Sequence, residues 1–566
     1  MNIFHGLEVF LYFTGLVLLA APQGILMARL LEPSAHAGTR WEKTLDRCER
    51  FFLKVVGVAP NQEMNWREYA IALMSFNILG IIILVLQQMF QAALPLNPAV
   101  VADVPFWLAV NTAVSFVTNT NWQAYSGETA MSYLTQMTGL AVQNFLSVAT
   151  SVAALLVLAR GLTRRSTELL GNFWRDLART TLYILIPLSF LFALILVHEG
   201  VVQTFSGPVM ATTIEGADQV IPLGPAASQI AIKQLGTNGG GFYGVNSAHP
   251  FENPTPLSNF FEMLAILLLP AACVFMFGRL IDRPRHAHAL LAAMFILLFA
   301  GLGVSLWAEH QPNPALGITE QLEGKETRFS VTESVLWSVT TTAASNGSVN
   351  AMHDSFSPWT GLVQIFNMQL GEVVFGGVGC GLYGMVLFVL LTVFLAGLMV
   401  GRTPEYLGKK IETREMAWAL TGILLPGACV LLGTAASCLV ESALAGRANR
   451  GPHGLSEILY AFSSAAGNNG SAFAGLAVNT DFYNGWLALT MFLGRFGVLI
   501  PVLAIAGSLA AKRISAASSG TFPTEGPTFV VLLVGVIVIV GGLNFFPALL
   551  LGPGVEQFLM LAGRLF

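Results

Sequence analysis

Ten long apolar stretches constrain this chain more than any other feature, because each is long enough to form a membrane-crossing helix. Spanning a bilayer takes about 20 mostly apolar residues. The approximate centres of the stretches are Val17, Leu84, Ser151, Leu188, Leu268, Leu297, Leu387, Leu425, Leu499 and Ile537. Only 11% of the residues are charged, whereas a soluble domain has about 25%. The sequence therefore predicts an all-α polytopic membrane protein, with ten transmembrane helices in the lipid bilayer.

Composition excludes several other classes of protein. A hydrophobic fraction of 54% is the opposite of the composition that keeps a chain disordered. The net charge is −4, so no nucleic-acid partner is expected. Five scattered cysteines without a CxxC pair indicate neither a disulfide framework nor a cysteine-based zinc site. Cys48 and the pair His286 and His288 are placed in charged loops, and we expect that histidine pair to be solvated.

The basic residues predict the orientation of the helices. Most of the 28 lysine and arginine residues fall in one set of connections between the apolar stretches, and such connections face the cytoplasm. An even number of spans then places both termini outside.

Four of the outside connections contain a short amphipathic stretch followed by a polar turn rich in Gly and Asn. These segments cover residues 111–128, 230–244, 334–352 and 457–475. When they are aligned, Asn121, Gly239, Gly347 and Gly470 share one position. The similar spacing predicts four pseudo-repeats, each a span, a re-entrant pore helix and a span, around one pore, with one extra helix at each end of the chain.

The predicted organisation has six parts. They are an N-terminal span with its cytoplasmic loop (1–65), pore repeats 1 to 4 (66–165, 166–285, 286–410 and 411–515) and a C-terminal span (516–566). Transporters built from repeats place the substrate site at the interface between the repeats.

The polar turns are candidates for a cation site. Backbone that leaves a helix at membrane depth is tolerated only where protein or a water-filled cavity satisfies its polar groups. Four such turns around one axis would form rings of carbonyl oxygens, which can replace the hydration shell of a cation. The candidate residues are Asn119, Thr120, Asn121, Thr237, Asn238, Gly239, Ser345, Asn346, Gly347, Asn468, Asn469 and Gly470. A single Asn-Gly pair would favour an ordinary external turn, but four similar segments on the same side favour the re-entrant arrangement.

The strings TNTNWQAYSGE, GTNGGGF followed by NSAHPFENP, SNGSVNAMHDS and NNGSAFAGL closely resemble the potassium-binding subunits of bacterial Kdp-type potassium-transporting ATPases. The resemblance covers essentially the whole chain. It implies membership of a superfamily of potassium transporters with four channel-like repeats. That superfamily usually has glycine at the filter position of every repeat, and this chain departs from the pattern at Asn121.

The resemblance implies a function in ATP-driven, high-affinity potassium uptake across the bacterial plasma (inner) membrane. Potassium would be the substrate, bound at the filter residues. The expected partners are a P-type ATPase catalytic subunit, a single-span accessory subunit with an outside domain, and a very small one-span subunit. No nucleotide would be bound by this chain, which lacks a GxxxxGK[ST] loop, so it would be the non-catalytic subunit.

A glycine-rich string in the second span of repeat 3 predicts a break in that helix. Five glycines occur within GGVGCGLYG, and each weakens a helix by about 1 kcal/mol relative to alanine. Resemblance to the superfamily's intramembrane loop favours a gate below the filter, while close helix packing through small residues is the alternative. The candidate gate residues are Gly376, Gly377, Gly379, Gly381 and Gly384.

Charged residues within or near the spans are further candidates. Arg495 lies in the middle of a predicted span, where a cation is costly unless it is paired or faces a polar cavity. Four acidic residues are placed near outer span ends, where they either concentrate cations or are ordinary solvated charges. They are Glu128, Glu252, Glu262 and Glu372.

Two other functions remain open from the sequence. A stand-alone potassium channel or cation symporter of the same superfamily would share the pore residues. An intramembrane enzyme would need a nucleophile with its base or an HExxH metal set on facing spans, and the sequence contains no such set.

Overall fold

The computed structural model describes residues 3–32, 40–59, 62–401, 403–515 and 522–564. Within these ranges, ten helices are long and apolar enough to cross a membrane. They are Gly6–Leu31, Trp66–Met89, Thr135–Thr163, Phe173–His198, Pro256–Leu280, Pro284–Glu309, Cys380–Met399, Thr413–Leu439, Asp481–Ala511 and Pro527–Leu561. Each contains one of the predicted centres, so the ten predicted spans are confirmed.

The secondary structure is almost entirely helical. The helices are α1 (Ile3–Leu31), α2 (Arg40–Val56), α3 (Trp66–Met89), α4 (Phe106–Val117), α5 (Gly127–Ala130), α6 (Val142–Thr163), α7 (Phe173–Arg179), α8 (Ile186–His198), α9 (Ala226–Leu235), α10 (Pro256–Leu280), α11 (Pro284–Glu309), α12 (Val331–Ala343), α13 (Pro358–Gln369), α14 (Cys380–Met399), α15 (Thr413–Leu439), α16 (Glu441–Leu444), α17 (Gly451–Ala466), α18 (Asp481–Ala511), α19 (Pro527–Leu549) and α20 (Val555–Leu561). Two small antiparallel hairpins pair β1 (Val209–Thr212) with β2 (Asp218–Ile221) and β3 (Glu405–Tyr406) with β4 (Lys409–Lys410). Short π-helical segments connect α7 to α8 and α19 to α20, and another precedes α6.

Capping side chains fix where several helices begin. Asn65 Oδ1 accepts hydrogen bonds from the backbone N–H groups of Arg67 and Glu68, and the Glu68 carboxylate accepts from the N–H of Asn65. Ser330 and Glu333 form the same reciprocal arrangement at the start of α12. Such a capping box satisfies N–H groups that have no partner within the helix.

Burial separates a central group of helices from a peripheral one. In the span containing α6, 89% of the most apolar window is buried, compared with 22% for α1 and for α3. The peripheral helices expose large apolar side chains such as Leu18, Ile71 and Val531. An apolar surface of this extent is rare on a soluble monomer, and it fits a surface that faces lipid.

Four short helices lie between consecutive spans, as the repeat hypothesis requires. α4, α9, α12 and α17 contain 12, 10, 13 and 16 residues. At 1.5 Å per residue they are about 15–24 Å long, which is shorter than the hydrocarbon core of about 30 Å. Each leads directly into one of the four polar turns.

The loop placements of Cys48, His286 and His288 are wrong. Cys48 lies in α2, while His286 and His288 lie in the first turns of α11, which begins at Pro284. His286 is buried rather than solvated, and its Nε2 lies 2.7 Å from the Tyr406 hydroxyl. Proline is favoured in the first turn of a helix because its missing N–H needs no partner there, so PRHAH marks a helix start. The boundary predicted at residue 516 adjoins 516–521, outside the described residues.

Candidate functional site

The four polar turns share one backbone conformation. We number them turn 1 (119–121), turn 2 (237–239), turn 3 (345–347) and turn 4 (468–470). The first residue of each has a positive φ: Asn119 +67°, Thr237 +49°, Ser345 +48° and Asn468 +47°. The third residue does as well: Asn121 +52°, Gly239 +82°, Gly347 +89° and Gly470 +100°. The turns therefore share this φ pattern as well as their sequence pattern.

The turns also meet in a closed order. A Cβ atom built on Gly239 would lie 1.7 Å from the Asn346 carbonyl oxygen, and one on Gly347 would lie 2.2 Å from that of Asn469. A Cβ on Gly470 would lie 2.1 Å from the carbonyl oxygen of Thr120. Turn 2 thus contacts turn 3, turn 3 contacts turn 4, and turn 4 contacts turn 1. Only glycine allows these approaches.

Side-chain amides connect each turn to a neighbouring turn or to the helix that leads into it. The donors and acceptors are Asn119 Nδ2 to the Thr237 carbonyl (2.9 Å), Asn346 Nδ2 to the Lys233 carbonyl (3.2 Å), Asn469 Nδ2 to the Thr341 carbonyl (2.9 Å) and Asn468 Nδ2 to Thr120 Oγ1 (2.9 Å). The first of these bonds closes the circuit between turns 1 and 2. The asparagines of the motif therefore stabilise the arrangement of the turns.

The departure from glycine at Asn121 leaves the backbone of turn 1 unchanged. Asparagine is one of the few residues that enter the left-handed region readily, and the Asn121 side chain donates to Asn144 Oδ1 at 2.7 Å.

Four buried side-chain oxygens in the turns have no hydrogen-bond partner: Asn121 Oδ1, Asn238 Oδ1, Ser345 Oγ and Asn468 Oδ1. A buried oxygen without a partner in the protein is available to contact a water molecule or an ion.

A buried ion pair supports turn 2, and the sequence alone did not reveal it. Lys233, in the last turn of α9, lies 2.5 Å from Glu252 and donates to Asn246 Oδ1 at 2.7 Å. Asn246 in turn donates to the carbonyl oxygen of Gly239 at 2.7 Å. Lys233 and Glu252 are both fully buried. The string NSAHPFENP therefore supplies the residues that hold turn 2 in place.

A second carboxylate extends this support to turn 3. Glu262 accepts hydrogen bonds from Gln234 at 2.8 Å and from Ser247 at 3.0 Å. Gln234 Oε1 accepts from the hydroxyl of Ser348, which follows turn 3, at 3.0 Å. Placing Glu252 and Glu262 as solvated charges is thus wrong, because both carboxylates are fully buried among polar partners.

We expect Lys233→Met to destabilise the protein by about 3–5 kcal/mol, because it leaves Glu252 buried without its cation. The double variant Lys233→Met/Glu252→Gln should recover part of this loss, since no unpaired charge remains. Thermal unfolding of the purified protein in detergent measures both effects. Lys410→Met, at an exposed lysine, is the control. An equal loss of stability in Lys233→Met and Lys410→Met would contradict the assignment of Lys233 and Glu252 as a buried ion pair.

The predicted break in the second span of repeat 3 is confirmed, although its position differs. The helix stops at Gln369 and resumes at Cys380, so the break covers residues 370–379. Gly376, Gly377 and Gly379 lie within it, whereas Gly381 and Gly384 lie in α14, so the prediction that these two belong to the break is wrong. We call residues 370–379 the break loop.

The break loop lies directly against turns 2 and 3. The backbone N–H of Val378 donates to Thr237 Oγ1 at 3.0 Å. The N–H groups of Phe375 and Gly376 donate to the carbonyl oxygen of Ala343, at 3.2 and 2.8 Å. Ala343 ends α12, two residues before turn 3, so the loop and the turns form one connected unit.

A small cavity lies beside the break loop and turn 4. Glu372, Cys380, Asn468 and Arg495 are among the residues that line it. Its volume is about 40 Å³, whereas one water molecule needs about 10–15 Å³, so a few waters fit.

The mid-span position of Arg495 is confirmed, and its guanidinium donates to Ser151 Oγ. Glu372 lies in the break loop, so its placement at an outer span end is wrong.

Burial shifts the pKa values of two titratable groups in the connections that follow the turns. Burial raises the pKa of the Glu128 carboxyl, whose Oε2 accepts from the N–H of Gly244 at 2.7 Å. Burial lowers the pKa of His353 to about 3, so its imidazole is neutral near pH 7 and pairs with the Tyr460 hydroxyl at 2.7 Å. Glu128 thus bridges the segments that follow turns 1 and 2.

Comparison with solved structures identifies a similar fold. The fold is similar to that of the potassium transporter TrkH from Vibrio parahaemolyticus, with a TM-score of 0.51, 13% identity, and coverage of 85% of this chain and 97% of that chain. The chain therefore has a polytopic, helical fold like that of this structure, with ten helices in the described residues that can cross a membrane.

Sequence comparison then gives the family. The family model described as "Potassium-transporting ATPase A subunit" matches residues 10–558, and the chain belongs to that family. A relative from Leptospira interrogans is 59% identical over 520 residues, which is 92% of this chain and 93% of the relative. A relative from Pseudomonas aeruginosa is 55% identical over 561 residues, which is 98% of this chain and 99% of the relative. Both relatives are named as potassium-transporting ATPase potassium-binding subunits.

Proposed function

We propose that the chain is the potassium-binding and translocating subunit of an ATP-driven potassium uptake complex. The observation that carries the proposal is the closed circuit of four turns with one shared backbone conformation. Backbone oxygens held by a rigid network can replace the hydration shell of a potassium ion without a large rearrangement. Membership of the family, and the names of its curated members, support potassium as the ion.

The proposed binding residues are those of turns 1 to 4. Their asparagine side chains stabilise the arrangement of the turns, since the amides of Asn119 and Asn468 bond to neighbouring turns and that of Asn469 bonds to α12. The carbonyl oxygens of Thr237 and Gly239 accept hydrogen bonds from Asn119 and Asn246. The remaining carbonyl oxygens of the turns and the four unpartnered side-chain oxygens are therefore the better candidates for ion contact. Asn121 would contribute to the ion path through its Oδ1, its carbonyl oxygen or both.

The break loop is proposed as the gate for ions that have passed the turns. It is non-helical, it contacts turns 2 and 3, and a charged cavity adjoins it. Arg495 would repel a cation in that cavity and so limit passage to states in which Glu372 or a bound partner offsets its charge.

The four turns would belong to four pore repeats with the boundaries given above, flanked by one extra helix at each end. In the bacterial inner membrane, the excess of basic residues in one set of loops supports periplasmic termini. ATP hydrolysis is assigned to a P-type ATPase partner, with a single-span accessory subunit and a very small one-span subunit completing the complex. No connection predicted on the cytoplasmic side approaches the roughly 100 residues of a typical domain.

The chain alone should neither hydrolyse ATP nor accumulate potassium against a gradient, because a selective path without an energy source only lets ions run downhill. The purified chain and the complete complex are compared in potassium-free liposomes, with ATP on the cytoplasmic face and potassium outside. We expect uphill uptake and potassium-stimulated hydrolysis from the complex only. Gradient-driven flux through the chain, with no ATPase subunit copurifying from native membranes, would instead identify a stand-alone channel or symporter.

A further inference from the structure

A cluster of four titratable side chains lies near the start of α17, on the side of the turns that the basic residues predict to face outside. Asp354 follows turn 3 by seven residues, His453 and Glu457 lie on α17, and Glu556 lies on α20. One ligand atom each from Asp354, His453 and Glu457 lies within 4.8 Å of the other two. The cluster thus joins three segments that are distant in the sequence.

We propose that Asp354, His453 and Glu457 bind one divalent transition-metal ion, such as Zn²⁺, at the outer side of the protein. Imidazole and carboxylate groups are ligands that Zn²⁺ accepts at about 2.0–2.2 Å. Three protein ligands and a water molecule complete a common tetrahedral geometry. This metal is separate from the transported ion, for which oxygen ligands alone are offered by the turns.

The two nitrogens of His453 have the environments that a metal ligand requires. Nε2 lies 2.9 Å from Asp354 Oδ1, on the side of the proposed ion, while Nδ1 lies 2.7 Å from Glu556 Oε1. A metal-bound histidine almost always donates its other N–H to a carboxylate or carbonyl, which fixes the orientation of the ring. Glu556 is therefore a positioning residue that acts through His453.

Hydrogen bonds from neighbouring residues hold the carboxylates of Asp354 and Glu457 in place. Asp354 Oδ2 accepts the N–H of Gly475 at 2.8 Å, which leaves Oδ1 for the ion. Glu457 Oε1 accepts both the N–H and the side-chain amide of Asn449, at 3.1 and 2.9 Å. Glu457 is fully buried, and its Oε2 has no hydrogen-bond partner. A buried carboxylate oxygen without a partner is costly, and a metal ion would remove that cost.

An adjoining cavity and the spacing of the ligand atoms are both compatible with a metal ion. Asp354 and His453 line a cavity of about 380 Å³, so a hydrated ion can reach these two ligands, while Glu457 is buried next to them. Tetrahedral ligands about 2.1 Å from zinc lie about 3.4 Å apart, so the contact between Asp354 and His453 needs to open by only about 0.5 Å. Binding replaces the proton on Nε2, which is released to solvent.

A protonated histidine held by carboxylates is the competing interpretation. Burial disfavours the charged ring, but the hydrogen bonds to Asp354 and Glu556 raise the pKa of His453 to about 10. The two interpretations differ in one measurable respect: only a metal site binds Zn²⁺ with a fixed stoichiometry and loses it when Glu457 is neutralised.

The test measures Zn²⁺ binding to the purified complete complex by equilibrium dialysis with excess potassium present. We expect one ion per chain, at least tenfold weaker binding in Asp354→Asn and Glu457→Gln, and about 10–100-fold weaker binding in Glu556→Gln. Glu323→Gln is the control, because Glu323 lines the same cavity, is exposed and is outside the ligand group. Zn²⁺ should also raise the melting temperature of the wild-type complex, and not that of Glu457→Gln.

Co²⁺ provides a second measurement that needs no variant. If Asp354, His453 and Glu457 bind it, the wild-type complex acquires a ligand-field absorption band that Zn²⁺ abolishes. Absence of that band, or equal Zn²⁺ binding in wild type and Glu457→Gln, would overturn the proposal and leave a protonated histidine only.

Discussion

Replacing Gly239 by alanine should weaken the apparent affinity of the complete complex for potassium by tenfold or more. The new Cβ would lie 1.7 Å from the carbonyl oxygen of Asn346 and 2.6 Å from the backbone nitrogen of Ser348. Both are backbone atoms, so turn 3 must move. The φ of +82° adds about 1–3 kcal/mol of strain for a residue with a side chain, and about 1.4 kcal/mol corresponds to a tenfold change. Potassium-stimulated ATP hydrolysis, titrated with potassium, rubidium and sodium, measures the effect.

Gly303→Ala is the matched control for this substitution. Gly303 lies in α11, and a Cβ there would meet no atom within 4 Å. The control should keep the ion profile of the wild type and be produced in similar amounts. If Gly239→Ala also keeps that profile, turn 2 does not take part in ion selection.

Hydropathy was sufficient to place the spans, because the bilayer requires long apolar helices whatever their neighbours are. The turns were also predictable, since Asn and Gly at four equivalent positions meet a requirement of the local backbone. The third residue of each turn has a positive φ, which Gly and Asn adopt at lower cost than other residue types. Local rules of this kind can be recognised from a single sequence.

The buried charges could not be predicted in the same way. Lys233 and Glu252 are 19 residues apart and become partners only when the segment after turn 2 folds back on α9. An isolated glutamate near a span end resembles a solvated charge, and nothing local shows that a cation will be buried beside it. The capture of His453 between Asp354 and Glu556 depends on an even larger separation, of 99 and 103 residues.

The glycine-rich string shows how a correct prediction can be misplaced by a few residues. Composition predicts that a helix will break near GGVGCGLYG, but not where it resumes. The break begins upstream of the string, because Gly371 and Glu372 already have positive φ values. It ends at Cys380, where α14 begins. Glycine is needed at position 381 because the break loop packs directly against it. That requirement comes from tertiary packing and not from the local backbone.

Gly381→Ala should therefore impair ion passage although the residue lies in a regular helix. A Cβ there would lie 1.8 Å from the Phe375 carbonyl oxygen and 2.6 Å from the Gly376 Cα. The N–H groups of Phe375 and Gly376 are bonded to Ala343 beside turn 3, so the loop cannot yield without moving that turn. Overpacking of this kind costs about 1–3 kcal/mol, which corresponds to roughly a tenfold effect or more. The measurement is the rate of potassium uptake by the reconstituted complex.

Gly384→Ala separates an effect on the break loop from an effect on the helix. Gly384 lies three residues further along α14, and a Cβ there would lie 3.3 Å from the carbonyl oxygen of Gly371 in the break loop. That contact displaces the loop by a few tenths of an ångström at most, whereas the overlap at Gly381 cannot be relieved without moving it. Both substitutions favour helix formation equally, so a general stiffening of α14 would change uptake in both variants alike. A loss confined to Gly381→Ala, with the complex still eluting as one assembly, assigns control of ion passage to the break loop. Normal uptake in Gly381→Ala would show that the loop yields freely and does not limit the passage of potassium.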